Sequence, residues 1–571
     1  MRKINVLMGL CIVCFFFFLP LHVFSETLIA KKNLTFVPDV DNQIFRNEII
    51  KFVRSAATQQ IASIPQQSLD ELDTKWNNYY QTTDWSIRIV LYHHGLAVGE
   101  GYSHGTHLAN TLKNATALSL NTHTTDQLRG TELGEYRFKV TFDYYPARLY
   151  SFIEFNDQGL ELTGSRVAVR VLDIKSVEQQ IQNSKAYLLR AMHPRLHGFF
   201  KFYNAAEDRQ EDLLRTIYSS SSLYTFLKLY ALKQDDKLQQ LFKPIAAFIL
   251  SNQIKEGTNA GAFYYGFDPT INKQKCKIVV GTASKTIFTL LEMNRMYKND
   301  PVYLNSAKKA GDWLLSMVHD DGTVTPIGYC DQNNWRYKTK QSLLYSGQVL
   351  SALSRLYAVT QDKRYYNGAQ KIATNFVNLI NLKGPLVGDG YRPANSISTS
   401  WVMMSLIDFA KINHDAIYRN IIDKVARKIL SRQITNTADI YSNGRYLDAM
   451  TTSGNGWINE VMGVFYEFCN HTHMQNCQQY KQAMLLTSRW LMQNAYTMEN
   501  TYNVKNPQNA IGGFITNFTT QTVRTDAVCH GVNSLISLLT ITGMRERILI
   551  DLPERPLQEV LPLLRVGNGF L

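Results

Sequence analysis

Apolar side chains recur twice at helical spacing between residues 342 and 392: Val349, Leu350, Leu353, Leu356 and Tyr357 in the first half, then Ala369, Ile372, Ala373, Phe376 and Ile380. The pattern predicts two helices. The polar link Thr360-Gln361-Asp362-Lys363 between them is short enough to force an antiparallel pair. A Gly384-Pro385 step, a short apolar run and the turn Asp389-Gly390-Tyr391-Arg392 then lead to the next helix.

The same unit recurs along the chain. Inner-helix patterns begin near Tyr218, Ala283, Tyr345, Thr399, Gly456 and Val528, at intervals of 54 to 72 residues, and five of them are followed by a second, more amphipathic segment. The sixth is not. A segment of that character stands instead at 176–192, SVEQQIQNSKAYLLRAM, followed like other second helices by a glycine and an aromatic run, HGFFKFY. If it supplies the outer helix of the last hairpin, the array closes into a ring. Six hairpins with this circular closure, over 176–551, resemble an (α/α)6 toroid, the fold of the six-hairpin glycosidase-like superfamily. The rival reading is an open superhelical solenoid that binds a protein partner. No strand series is expected beyond Ser176.

Residues 26–175 have a different texture. Helical patterns at 41–60, 69–80 and 109–120 are interleaved with SIRIVLYHHGLAVGEGYSHG, which breaks on glycine like a hairpin, and with the alternating runs YRFKVTFDYYPARL, YSFIEF, GLELTG and RVAVRVLDI. An α+β domain is expected there. Ahead of it, Arg2 and Lys3 precede an apolar run from Val6 to Leu19, and Ser25 precedes Glu26, which has the shape of a secretory signal. The alternative is an uncleaved anchor helix. The expected layout is a signal at 1–25, an α+β domain at 26–175 and a mainly α toroid at 176–571, in a protein exported to the periplasm or beyond.

Cysteine usage suits that compartment. With Cys11 and Cys14 in the signal, Cys469 and Cys477 bracket a short loop between two helices and form a natural local disulfide, Cys276 and Cys330 are a second pair, and Cys529 is left over. The formal charge of +13 arises without any basic run or basic helix face, which removes nucleic acid from the partners. A diffuse positive field would concentrate an anionic substrate. No run after the first leader-like one is long enough to span a membrane.

In a ring of hairpins the long links emerge at the N-terminal ends of the inner helices, where unsatisfied N–H groups favour negative charge. Those links hold Trp335 and Tyr337, Asp389 with Tyr391 and Arg392, Arg445, Tyr446 and Asp448, Trp457 with Glu460, and Arg524, Asp526 and His530. Aromatic faces beside carboxylates and arginines suit a saccharide, since rings stack on C–H faces while charged groups fix hydroxyls. Many of the tyrosines would equally pack the seams between helices. Glycoside hydrolysis, the preferred reading, needs two flanking carboxyls, for which Asp389, Asp448, Glu460 and Asp526 are candidates. A uronate lyase or epimerase needs a base and a positive group, for which Tyr391 with Arg392, Tyr446 with Arg445, and His530 with Arg524 are candidates. A non-enzymatic binding scaffold is the third reading.

Asp526 and His530 stand four apart on one helix, so the carboxylate is expected to hold the imidazole in one tautomer. Cys529-His530-Gly531 resembles the zinc-binding segment of lanthionine-synthetase-type cyclases, but the Trp-Cys-x-Gly stretch that completes that site has no counterpart here. No metal or cofactor is expected.

Overall fold

In the computed structural model, which describes residues 43–62, 85–121, 133–143, 152–163, 166–331, 334–437, 439–517, 521–541 and 543–552, the chain divides into two units. The leader-like stretch and the helix expected at 69–80 lie outside the described residues. The smaller unit takes the described residues up to Leu162 except 92–96. Its helices α1 (Gln43–Ala62) and α2 (Leu108–Asn121) pack together. Strands β1 (Trp85–His93), β2 (Leu96–Gly105), β3 (Tyr136–Asp143), β4 (Phe152–Asn156) and β5 (Glu161–Thr163) lie in the order β2-β1-β3-β4-β5. Alternation puts Ile87, Phe138 and Phe155 into one core with Ile49, Phe52 and Leu112 of the helices. This is the α+β pattern the alternating runs imply.

The larger unit begins with a reciprocal cap. Ser176 N donates to the Asp173 carboxylate at 2.7 Å, and Asp173 N donates to Ser176 Oγ at 3.0 Å. The helix opened in this way, α3 (Ile174–Arg190), is the segment whose placement decides between ring and solenoid. Five hairpins follow it: α4 (Thr216–Leu232) with α5 (Phe242–Ser251), α6 (Val280–Met296) with α7 (Val302–Ser316), α8 (Leu343–Thr360) with α9 (Lys363–Lys383), α10 (Ser396–Ala410) with α11 (Ala416–Leu430), and α12 (Thr452–His471) with α13 (Gln478–Gln493). The last inner helix is α14 (Thr525–Thr540). Each even-numbered helix from α4 onward packs on the next, α14 returns to α4, and α3 lies against α14. The ring is therefore closed, an (α/α)6 toroid.

Its short links are capped as their sequences imply. Asp362 accepts from Arg364 N at 3.0 Å to open α9, Asp415 accepts from Ile417 N at 2.9 Å to open α11, and Gln361 takes a left-handed turn with φ 58°. Cys469 and Cys477 form a disulfide across the α12–α13 link, and Cys276 and Cys330 form the second one.

The long links depart from expectation, because they do contain strands. β6 (Phe202–Asn204) pairs with β13 (Thr522–Arg524), which also pairs with β12 (Ile515–Asn517). β7 (Leu214–Arg215), β8 (Tyr264–Asp268), β9 (Lys273–Val279), β10 (Ile327–Asp331) and β11 (Asn334–Lys338) form a second sheet. Several partners come from different links, as when Leu214 lies opposite Phe267 and Tyr203 opposite Val523, so no local alternation announces them.

Closure by α3 predicts a direct stability effect. Leu188 of α3 has 0 % exposure in the toroid core, so Leu188→Ala should destabilise the protein by about 2–5 kcal/mol. A urea titration followed by tryptophan fluorescence checks this, and an unchanged midpoint would mean that α3 is not part of the ring.

Candidate functional site

The first turns of all six inner helices converge on a cavity of about 490 Å³ on the long-link face. Tyr218 and Ser221 come from α4, Lys285 from α6, Tyr345 and Gln348 from α8, Trp401 from α10, Trp457 from α12, and Asp526 and His530 from α14. Lys201, Tyr265, Tyr391, Arg392 and Arg524 enter from the links. Among the described lining residues, Lys201, Lys285, Arg392 and Arg524 are thus set against one carboxylate, Asp526.

Arg524 and Asp526 are joined by two hydrogen bonds, Nε to Oδ1 at 2.9 Å and Nη2 to Oδ2 at 2.7 Å, and Arg524 Nη2 also donates to the Tyr218 hydroxyl oxygen at 3.0 Å. Burial works against charge on Asp526, but the Arg524 guanidinium outweighs it and holds the carboxyl below its usual range. Burial also pushes the Tyr218 phenol well above its usual value, so it keeps its proton.

His530 takes a different partner from the expected one. Its Nδ1 lies 2.7 Å from Glu460 Oε2, while both Asp526 oxygens are engaged by Arg524. Glu460 Oε1 accepts from Asn533 Nδ2 at 3.0 Å and from Lys228 Nζ at 3.3 Å. Burial opposes ionisation of Glu460, yet the Lys228 charge, the His530 hydrogen bond and the Lys285 charge hold its carboxyl down at about 2. An ionised carboxylate only accepts, so Nδ1 carries the hydrogen and the lone pair of neutral His530 is on Nε2. Nε2 makes no hydrogen bond to a described residue. The partner lies 70 residues away on the neighbouring helix, beyond the reach of an i, i+4 rule.

The floor is aromatic. Trp401 and Trp457 stack with centroids 3.5 Å apart, and Trp457 meets the His530 ring edge-on at 5.1 Å. Lys285 Nζ lies 4.8 and 4.9 Å from the two indole centroids. Burial brings the Lys285 ammonium down to about 8, with Glu460 resisting the shift.

The cavity therefore unites Asp526, His530, Trp457, Tyr391, Arg392 and Arg524, with Glu460 directly behind His530. The other sequence candidates lie elsewhere. Asp389 is a backbone cap: Leu343 N donates to one oxygen at 2.8 Å, and Tyr391 N and Arg392 N donate to the other at 2.8 and 2.9 Å. Asp448 accepts from Ser396 N and from Arg432 Nε, both at 2.9 Å. Tyr446 has 0 % exposure, and a ring without accessible surface cannot stack on a sugar. Arg445 donates to the Tyr446 carbonyl, and the Tyr337 hydroxyl donates to Asn259. Trp335 sits on β11, outside the cavity lining. Cys529 is buried with Sγ 3.6 Å from Ser222 Oγ, while the adjacent imidazole is committed to Glu460. Lys285, Trp401 and Tyr218 escaped the sequence reading, although Lys285 left a trace as a lone charge in the first turns of an otherwise uncharged helix start, VGTASKTIF.

No family model and no curated protein matches the chain. Among solved structures, it is similar to the cellobiose 2-epimerase from Bacillus thermoamylovorans B4167, at 11% identity over 64% of this chain and 98% of that one, with a TM-score of 0.49. It is also similar to the α-1,6-mannanase of Salegentibacter sp. HEL1_6, at 12% identity over 64% of this chain and 98% of that one, with a TM-score of 0.45. A family 76 glycoside hydrolase from a bovine Bacteroides thetaiotaomicron strain shares 13% identity over 80% of this chain and 93% of that one, with a TM-score of 0.46. What the cavity can do is read from its own side chains.

Glu460 links the site to stability. Its folded pKa of about 2 lies below the ordinary 4.5, so its contribution is fully present above pH 4.5 and is lost as the pH falls toward 2. Glu460→Gln should be less stable than wild type at pH 7, with a gap that narrows between pH 4.5 and 3. Thermal melts across that range check the sign, and a constant gap would contradict an ionised Glu460.

Proposed function

We propose that the cavity is the active site of a carbohydrate-active enzyme that moves a proton at carbon, as a uronate-directed lyase or epimerase. The observation that carries this is the Glu460–His530 pair at a cavity where the one carboxylate among the described lining residues, Asp526, is already tied to an arginine. Two carboxyls facing one bond are what hydrolysis requires; of the four candidates, Asp389 and Asp448 cap helices, Asp526 is held by Arg524, and Glu460 is taken up by His530, Asn533 and Lys228.

In the proposed reaction, the His530 Nε2 lone pair takes the proton from the carbon beside the substrate carboxylate, and the C–H electron pair moves into that carboxylate as an enediolate. The cationic lining stabilises the added charge. In elimination, the enediolate pair returns to form the carbon–carbon double bond, the neighbouring C–O bond breaks with its electrons on oxygen, and Tyr218 protonates that oxygen. In epimerisation, the carbon instead takes a proton from Tyr218. Solvent resets both groups. Two disulfides and the leader-like start of the chain favour an oxidising compartment as its place of work.

The test is incubation with uronate-containing and neutral glycans in deuterium oxide, followed by mass spectrometry and NMR. Either an unsaturated product or deuterium at the carbon beside the carboxylate is expected, and His530→Ala should lower the rate about 10²–10⁴-fold. New reducing ends without either product would mean hydrolysis and would overturn the reading.

A further inference from the structure

The cations within the toroid are not equally matched. Lys228 donates to Glu460 at 3.3 Å, Arg355 Nε donates to Asp408 at 2.8 Å, and Arg524 holds Asp526 with two bonds. The Lys285 ammonium makes no ion pair or hydrogen bond to a described residue, and it rests on ring faces, those of Trp401 and Trp457 with Phe288 at 5.8 Å. An ammonium has three donors, and withdrawing it from water without an acceptor is costly. Glu460 on α12, Arg355 on α8, Lys228 on α4 and Cys529 on α14 are the titratable groups that act on it across the ring, and the carboxylate among them is occupied by other donors.

A second side chain beside it is also unsatisfied. Gln348 lines the cavity with 4 % exposure, and its amide oxygen is buried without a partner. Gly281 stands one turn before Lys285 on α6, and a Cβ placed there would lie 2.3 Å from Gln348 Oε1. The Gln348 carboxamide is therefore packed on the helix that carries Lys285. A lone ammonium and an unsatisfied carboxamide thus line the same cavity.

We propose that Lys285 and Gln348 form the carboxylate subsite of this cavity, in which the acid group of a uronate residue pairs with the Lys285 ammonium. This rests on the proton-transfer reading for the identity of the ligand and adds to it the residue that distinguishes an acidic sugar from a neutral one. A single ammonium matches a monoanionic carboxylate, and the Gln348 amide nitrogen supplies a donor for the second carboxylate oxygen. Deprotonation of Lys285 near pH 8 removes the charge from the subsite, and a bound anion shifts that titration upward.

The experiment is a binding titration by intrinsic tryptophan fluorescence and calorimetry on the full chain. The probes are short glucuronate, galacturonate and mannuronate oligosaccharides and the same compounds after carboxyl reduction. Wild type should bind at least one acidic oligosaccharide about tenfold or more tightly than its reduced form. Lys285→Met should lose that difference while binding the reduced form within about twofold of wild type, and Lys285→Arg should retain part of it. In wild type the difference should shrink from pH 7 to pH 9, which decides the matter if Lys285→Met does not fold. Equal binding of acidic and reduced forms by wild type, or full affinity in folded Lys285→Met, would overturn the subsite. Lys285-dependent binding with no product in the deuterium experiment would support the subsite and remove the proton-transfer reading. Proton transfer with Lys285-independent affinity would do the reverse.

Discussion

Glu460 is an ionised carboxylate inside a ring of helices, and the interior polar groups of the toroid are arranged around it. Its oxygens accept from Lys228 on α4, His530 on α14 and Asn533 on the same helix as His530. Each inner helix contributes an ionisable side chain to this interior: Lys228, Lys285, Arg355, Asp408, Glu460 and His530. Removing a charge from water costs several kcal/mol, and only good geometry with further hydrogen bonds offsets that cost. Such a network tolerates little displacement. It therefore depends on ring closure, because Lys228 belongs to the first inner helix and meets Glu460 on α12 only if α14 returns to α4.

Close approach between the inner helices makes the network geometrically possible. A Cβ on Gly456 would lie 3.0 Å from Gly531 N, and one on Gly347 would lie 2.8 Å from the Trp401 carbonyl oxygen. Gly456 precedes Glu460 by one turn and Gly531 follows His530 directly, so the contact that brings the backbones together also brings carboxylate and imidazole into hydrogen-bond range. Small hydroxylic residues allow the same approach on other faces. Ser220 donates to the Thr216 carbonyl and lies 2.8 Å from Thr286 Oγ1, and Ser284 and Ser354 donate to carbonyls one turn back. The run Tyr-Ser-Ser-Ser-Ser, which looks poorly suited to a buried helix, is accommodated because Ser219 and Ser220 donate to carbonyls one turn back, Ser222 faces the Cys529 sulfur and Ser221 lines the cavity.

This division of labour explains what could be read in the sequence. Outer helices are amphipathic and inner ones are buried on nearly all sides, so the alternation of two textures, and the outer-type segment at 176–192, were legible without coordinates. The Cys469–Cys477 pair was equally local. The link strands were not, since β7 and β8 are brought together only by the packing of successive hairpins. Nor were the roles of the acidic residues. Asp389 and Asp448 share with Asp526 a place in a long link or first turn beside aromatic and basic neighbours, and only coordinates show two of them accepting from the first N–H groups of α8 and α10. His530 was legible as a candidate, but its partner was not, because Glu460 lies on another helix.

The capping aspartates follow from the architecture. Six inner helices present their N-termini on one face, and each leaves backbone N–H groups that need acceptors. Link carboxylates meet that need at α8 and α10, which removes them from chemistry even though their composition advertises it. Where the helix ends open into the cavity instead, their partial positive charge adds to Lys201, Lys285, Arg392 and Arg524. A reaction that passes through a buried anion is favoured by such a field, whereas one whose transition state accumulates positive charge on a sugar ring is opposed by it. For the proton transfer proposed above, such a field, with the imidazole held by Glu460, would stabilise the enediolate that forms beside the substrate carboxylate.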